Sequence, residues 1–470
     1  MSRALPWLAL LFLAAICCTS APDPLGAVPD AAQMEWQKME VNMFCHFGPN
    51  TFSGQEWGSG AESEDLFNPT GLDCRQWART AAAAGMKGII VTAKHHDGFC
   101  LWPNPVSTHT VAYCRWRDGQ GDVLKDLSEA CREYGLKFGV YISPWDRNDP
   151  AYGTPQYNQK YAATLRSVLD GHYGQVFEQW FDGACGEGPT GRRQVYDWPL
   201  FHRTVRELQP WAVMFSDVGP GCRWVGNERG EAGITNWSTL DTCGFTPGAG
   251  APPTDTLQSG NKGAGAWIPA EVDVSIRPGW FWRSSEKPKT ADELLQIYYR
   301  SVGRGSLLLL NVPPDTSGRI AREDSLVLMR WRERIDADFA DNLARKARFQ
   351  APRRRGFPPS RLGDGDYGRF WAAPEGERTP CICVELPSEC CFDRIVLQEY
   401  IPLGQRVEEF TIEALTSRGW ERIAGGTTIG YKRILLTEPT LARKLRITIN
   451  AALGSPVLSE VGIYKSNEIQ

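Results

Sequence analysis

Beyond its first twenty residues the 470-residue chain has no run of 18 uninterrupted apolar residues, which excludes a later bilayer-spanning helix. Excess charge is also missing: 51 Lys and Arg stand against 55 Asp and Glu, a formal net charge of −4. Without a broad positive field there is nothing to condense onto nucleic acid or an anionic membrane, and neither is expected as a partner. The one dense basic run, Arg353-Arg354-Arg355, lies between Pro352 and Gly356 and reads as solvated linker. A Gly-rich phosphate turn is absent after the first predicted strand, where Cys45-His46-Phe47-Gly48 stands instead, and this argues against a dinucleotide-binding open sheet. Histidine is scarce, six in all, and none lies near Cys381, Cys383, Cys390 and Cys391, so that cluster does not read as zinc. No metal and no cofactor is expected.

What the chain does have is an aromatic load of 18 Trp, 14 Tyr and 19 Phe. Indole faces stack readily on the apolar faces of sugars, although large cores use Trp as well. Arg3, the apolar run Leu8 to Cys18, and the small residues Thr19, Ser20 and Ala21 have the layout of a cleavable secretory signal over residues 1–20. The expected route is the secretory pathway. With no retention tetrapeptide at Asn467-Glu468-Ile469-Gln470, extracellular, lysosomal and vacuolar fates all stay open. Of the 14 cysteines, Cys17 and Cys18 leave with the signal, and an oxidising compartment makes disulfides the default for the rest. Asn236-Trp237-Ser238 is an N-glycosylation acceptor triplet, so a glycoprotein is expected.

From about residue 38 to 340, short β-branched and aromatic runs alternate with polar loops and amphipathic helices. Strands are predicted at Val41 to Phe47, Lys87 to Lys94, Leu136 to Ser143, Gln175 to Asp182, Trp211 to Asp217, Glu271 to Ile276 and Leu307 to Val312. Asp122 caps a helix carrying Val123, Leu127, Ala130, Cys131 and Tyr134 and ending at Gly135, and Thr290 with Glu293 forms a capping box. The pattern implies an α/β fold, a (β/α)8-like TIM-type barrel over residues 30–342. After a helix at Ser325 to Ala340 the texture changes to Arg/Pro/Gly-rich linker and then short strands. Cys381 to Leu386, Asp393 to Leu397, Glu408 to Ala414, Arg433 to Leu436, Lys444 to Ile449 and Val457 to Tyr464 fit an antiparallel β-sandwich over residues 345–470.

In a parallel barrel the chemistry sits at the C-terminal ends of the strands. Here those ends read His46, Lys94-His95-His96-Asp97, Ser143-Pro144-Trp145-Asp146, Asp182, Asp217 and Arg277-Pro278-Gly279-Trp280. Alternation puts Glu178, Trp180 and Asp182 on one face of the fourth strand, with Asp182 at the rim beside the small Gly183 and Ala184. The competing reading of Asp182 is a loop carboxylate capping the next helix. Glu178, deeper, reads as an ion-paired support. Glycoside hydrolysis needs a second carboxyl with a raised pKa, and the loop after Asp217 offers Glu228 beside Trp224 and Glu231 after Gly230; position alone does not separate them. Neighbouring His95 and His96 point to opposite sides of a strand, which suits hydrogen bonds to sugar hydroxyls better than a metal.

Taken together, His46-Phe47-Gly48, Glu56-Trp57, Lys94-His95-His96-Asp97-Gly98-Phe99, Trp180-Phe181-Asp182-Gly183 and Arg277-Pro278-Gly279-Trp280 resemble the α-L-fucosidases of glycoside hydrolase family 29, and Leu310-Asn311-Val312-Pro313-Pro314 resembles the family's last barrel strand. The resemblance implies a retaining exo-α-L-fucosidase in which Asp182 is the nucleophile and Glu228, in Arg223-Trp224-Val225-Gly226-Asn227-Glu228, the acid/base. It implies that His46, Glu56, Trp57, His95 and His96 hold the fucose hydroxyls and that Trp280 and Arg277 form the opposite wall; strand order, separately, puts Trp145 and Asp146 at the edge of the site. Ser143-Pro144-Trp145-Asp146-Arg147-Asn148 is similar to the branch specific for α-1,3/1,4-linked fucose on branched, Lewis-type glycans, so the expected partner is a fucosylated oligosaccharide or glycoprotein glycan. The broader family branch, a transglycosidase and a non-catalytic fucose-binding lectin-like protein are the alternatives. The tail from about Lys346 resembles the galactose-binding, discoidin-like sandwich.

Overall fold

The computed structural model describes residues 20–466. The predicted signal lies outside them apart from Ser20. Eight parallel strands close a barrel: β1 (Val41–Cys45), β2 (Gly88–Lys94), β3 (Lys137–Ile142), β4 (Val176–Trp180), β5 (Val213–Ser216), β6 (Cys222–Trp224), then, after a two-stranded ribbon of β7 (Thr239–Leu240) and β8 (Ala266–Trp267), β9 (Ala270–Ser275) and β10 (Leu307–Asn311). β10 returns to β1 with Val41 opposite Leu308 and Phe44 opposite Asn311, which closes the ring. The strand missing from the sequence reading is β6. It has three residues, and five residues join it to β5 with no helix between, so no local periodicity announces it.

The wall helices start where the caps predict. Asp122 accepts from the Lys125 amide ahead of Val123–Glu133, and Thr290 and Glu293 make both bonds of the capping box ahead of Ala291–Arg300. The helix Ala31–Met39 lies across the N-terminal end of the barrel. Its Gln33 amide donates to Gly221 O and Trp267 O, each at 2.8 Å, and Trp36 joins the core of the barrel interior. That interior is filled by alternate residues of the strands, among them Phe44, Ile90, Tyr141, Trp180, Val213, Phe215, Cys222 and Leu309. It is therefore a packed core rather than a pore.

The tail forms a seven-stranded antiparallel sheet that folds around a core of Trp371, Ile382, Ile395, Phe410, Ile447 and Leu458. Runs predicted as pairs of short strands are continuous: Cys381–Glu399 and Arg433–Ala452 each span the sheet, bent where the register shifts between Glu385 and Cys390 and between Phe392 and Arg394. Gly419–Gly426 adds a strand with no apolar alternation to reveal it. Sheet and barrel are pinned together: Ser238 N donates to Gln405 Oε1 (2.8 Å), Gln405 Nε2 to Asn236 O (2.9 Å) and Asn236 N to Thr428 Oγ1 (2.8 Å).

Two expectations fail at this level. Asn236 is 5% exposed at the junction, its amide nitrogen bonded to Arg304 O and Ser306 Oγ and its oxygen to Arg223, so this acceptor has no room for a glycan. The twelve cysteines of the described residues are all unpaired. Six of them are buried, and four of those, Cys45, Cys74, Cys131 and Cys222, lie in strands and helices, where they pack as small apolar residues.

Candidate active site

A pocket of about 320 Å³ opens at the C-terminal mouth of the barrel. Every element that lines it arrives there because a strand ends there. His46 follows β1, His95 and His96 follow β2, Tyr141 lies in β3, Asp182 follows β4, Asp217 follows β5, Glu228 follows β6, Asp273 lies in β9 and Trp280 follows it. A cavity of about 330 Å³ at the other end, lined by Trp36, Phe138, Tyr173, Phe177 and Trp211, matches it in size. That cavity has one carboxylate, Glu35, in company with Arg132 and Lys137, and no second carboxyl. The mouth pocket has four carboxyls: Asp182, Asp217, Glu228 and Asp273.

Asp182 is held by neutral donors on both oxygens. The Tyr141 hydroxyl donates to Oδ2 at 2.9 Å, the Ala184 amide donates to Oδ1 at 2.7 Å, and His96 Nε2 stands 3.7 Å from Oδ2. Across the pocket, the indole N–H of Trp280 donates to Glu228 Oε2 at 3.3 Å. Glu228 is open to solvent along one side and packed on the other. Burial of that packed side raises its pKa, and the charges of Asp182 and Glu56 add to the rise against the Trp280 bond. Glu231 turns away to pair with Arg229 at 3.2 Å, and Asn227 Nδ2 donates to its carbonyl. Geometry thus separates the two glutamates that position in the sequence left equal.

The three pocket histidines are neutral, because burial disfavours their charged forms. His46 is pushed down to about 3 and His96 to about 4, while His95 falls well below its usual value under burial and the neighbouring rings. Their tautomers follow from their partners. Asn311 Nδ2 donates to Ser275 Oγ and Trp280 O, so its oxygen faces His46 Nδ1 at 3.0 Å and that nitrogen carries the proton. The Ser143 hydroxyl donates to Trp145 O, so its oxygen accepts from His96 Nδ1 at 2.8 Å. Both imidazoles therefore turn an unprotonated Nε2 towards the pocket as an acceptor for hydroxyl donors.

Aromatic surfaces complete the cup. Trp180 stacks on Phe215 with centroids 3.8 Å apart and on Tyr141 at 5.3 Å. Trp280 leans on His46 at 5.0 Å, and exposed Trp57 stands edge-on to His96 and Trp145. Trp145 donates its indole N–H to Glu187 O, and buried Asp146 is turned inward to Lys94 at 3.2 Å, so only the tryptophan of that pair borders the rim.

Two expected contacts are corrected. Arg277 is fully buried and faces away from the pocket, its guanidinium divided between Asp324 (2.8 Å), Glu323 (2.6 Å) and the Glu286 carbonyl. A cation so enclosed by carboxylates anchors the loop that carries Trp280, with four of its five N–H donors already taken. Glu56 stands behind the pocket wall: Oε2 accepts from the Trp280 amide at 2.9 Å and Oε1 pairs with Arg283 at 2.7 Å. Three residues enter that local sequence reading did not single out. Tyr141 and Asp273 sit mid-strand, marked only by alternating with Ser143 and with Glu271 and Ser275 on the inner face. Asp217, noted only as a strand end, joins the carboxyl set, its pKa pushed up to about 6 by burial and the Asp182 charge. Asp273, which accepts from Trp224 Nε1 at 2.9 Å, is raised well above the carboxylate range by burial and by Glu228.

Residues 25–331 match the family model described as alpha-L-fucosidase. The chain is 41% identical over 452 residues to alpha-L-fucosidase 1 of Arabidopsis thaliana, covering 94% of this chain and 88% of that one. Among solved structures it is similar to SpGH29 (TM-score 0.89, 35% identity, 95% of this chain and all of that one). It is also similar to a Ruminococcus gnavus GH29 fucosidase in complex with fucose (TM-score 0.87, 33% identity, 96% and 98% covered).

Proposed function

The chain belongs to the α-L-fucosidase family of glycoside hydrolases, and from that premise we propose that it removes α-1,3/1,4-linked fucose from branched, Lewis-type glycans by double displacement with retention. The observation that carries this reading is the pairing of Asp182 with Glu228 in one pocket. One carboxylate is held by two neutral donors, and the other has its pKa raised by burial and by the charge of the first. In this reading Asp182 attacks the anomeric carbon while Glu228 protonates the leaving oxygen. Glu228 then takes a proton from the water that releases fucose from the covalent intermediate. Environments that push two carboxyls apart assign the roles of acid and nucleophile.

The unprotonated Nε2 atoms of His46 and His96 suit the sugar hydroxyls as donors, and Trp180, Trp280 and Trp57 suit the apolar patches of the ring. Glu56 and Arg277 act one layer further out, through the loop that carries Trp280. The linkage preference rests on the likeness of the Ser143 to Asn148 and Trp224 to Glu228 segments to one family branch. A lectin-like role has less support, since a binding cup needs no raised acid facing a held carboxylate.

The test is NMR-monitored digestion of a Lewis-type trisaccharide, 2′-fucosyllactose and an aryl fucoside by wild type, Asp182→Ala and Glu228→Ala. Release of fucose with retained configuration from the branched sugar alone, lost in both variants, is the expected result. Equal cleavage of 2′-fucosyllactose would assign the broad branch instead, and an inverted product would refute the double displacement.

A further inference from the structure

Directly beneath the pocket, two glutamates, Glu178 of β4 and Glu271 of β9, face each other. Glu178 and Glu271 are both completely buried, and one carboxyl oxygen from each, together with the Cys222 sulfur, lies within 4.8 Å of the others. The sequence reading expected an ion pair for Glu178. Among the described residues neither glutamate has an ion-pair partner. The groups that face the pair are Cys222 from β6, Trp36 from the N-terminal helix, Trp180 from β4 and, next along β9, Asp273. The nearby Arg223 guanidinium is spent on Leu257 O, Ile268 O, Asn236 Oδ1 and Trp237 O.

The donors can be counted. Trp36 Nε1 donates to Glu178 Oε2 at 2.7 Å and the Cys222 thiol to Glu178 Oε1 at 3.7 Å, so both oxygens of Glu178 accept. Trp180 Nε1 donates to Glu271 Oε1 at 2.8 Å, and Glu271 Oε2 is buried with no donor at all. Two facing carboxylates in a dry core repel, and an unsatisfied charged oxygen there is costly. A single proton on Glu271 Oε2 removes both problems, because it supplies a donor where one is missing and halves the charge. Burial acts in the same direction on both, raising each above the usual carboxylate range.

We infer that Glu178 and Glu271 are one acid pair sharing a single proton, held on Glu271, and that Glu271 is a positioning residue for the Trp180 indole that floors the pocket. The coupling to chemistry is short: Trp180 lies against Tyr141, and Tyr141 donates to Asp182. The activity consequence rests on this pocket being the fucosidase site, whereas the proton itself does not.

Glu271→Gln imitates the protonated acid, with an oxygen for Trp180 and an N–H for Glu178. It is expected to keep kcat/KM within about threefold of wild type, while Glu271→Leu, which strands both partners, loses at least about tenfold. Glu178→Gln is expected to do worse than Glu271→Gln, because one amide oxygen cannot accept from Trp36, Cys222 and Glu271 together. A purely structural role gives no such asymmetry between the two glutamines. Infrared spectroscopy of the unsubstituted protein at neutral pH is expected to show the carbonyl stretch of a buried protonated carboxylic acid that disappears in Glu271→Gln, a readout that stands even if Glu271→Leu does not fold. The inference is overturned if Glu271→Gln is as damaged as Glu271→Leu, if that band is unchanged in it, or if purified protein carries a stoichiometric divalent ion whose chelation unseats Trp180 fluorescence. Should Asp182→Ala keep its activity, the reading of the pocket fails while the infrared band still decides the proton.

Discussion

Tyr141→Phe is the sharpest probe of how the pocket holds its nucleophile. The substitution leaves the ring between Trp180, 5.3 Å away, and His95, 5.7 Å away, and deletes only the hydroxyl that donates to Asp182 Oδ2. Tyr141 is 1% exposed, but the Asp182 side chain keeps 26% exposure to the pocket, so water can replace part of the lost bond and the low end of the range for such a bond is expected. A hydrogen bond to a charged group contributes about 1.5 to 3 kcal/mol, which corresponds to roughly 10- to 160-fold in rate. The bond exists in the free enzyme as well as in the transition state, so the part that reaches the rate is the part that positions. With Tyr141 gone, Asp182 keeps the Ala184 amide on one oxygen and can rotate about that bond. The expected result is a fall of about tenfold in kcat/KM, carried mainly by kcat, with an unchanged melting temperature. Steady-state release of fucose alongside a thermal melt measures both. A change of less than twofold, or a loss matched by a lower melting temperature, would refute the idea that this hydroxyl sets the carboxylate.

Other consequences follow from the same geometry. Glu228→Gln should lower kcat/KM for glycan substrates by about 10²- to 10⁴-fold while sparing kcat/KM for α-fucosyl fluoride, whose leaving group needs no proton; kcat falls for both, because Glu228 also activates the water that releases fucose, and parallel assays compare them directly. Glu228 must be protonated to act and its pKa is raised, so kcat/KM should fall on the alkaline limb as pH rises through that value. Glu56→Gln removes one of the charges that raises it, so that limb should move to lower pH in a pH profile, and an unmoved limb would exclude the coupling. Arg277→Met should destabilise the fold by about 3 to 5 kcal/mol, leaving Asp324 buried and unpaired, and weaken fucose binding by the folded fraction through the released Trp280 loop; denaturant titration and ligand binding measure the two effects separately.

Much of this molecule is local, and the sequence carries it. Cap residues and periodicity announce most of the barrel's strands and helices, because Asp122, Thr290 and Glu293 act on their own first turns. Asp182 and the paired histidines are legible for a related reason: a parallel barrel delivers the residue after each strand to one rim, so order along the chain becomes proximity in space. Where a side chain points beyond that rim is a matter of distant partners. Glu228 and Glu231 look alike until Trp280 takes one and Arg229 the other. Arg277 looks like a ligand donor until Asp324 and Glu323 enclose it, and Asn236 looks like a surface acceptor until the tail sheet packs over it. The charge state of Glu178 has no local signal whatever, since its neighbours are Trp36, Cys222 and Glu271 from three other elements. Alternation, caps and the candidates at the strand ends are local properties of the chain. Only closure of the barrel, by fixing register and burial at once, decided which candidates meet and which of them carry a proton.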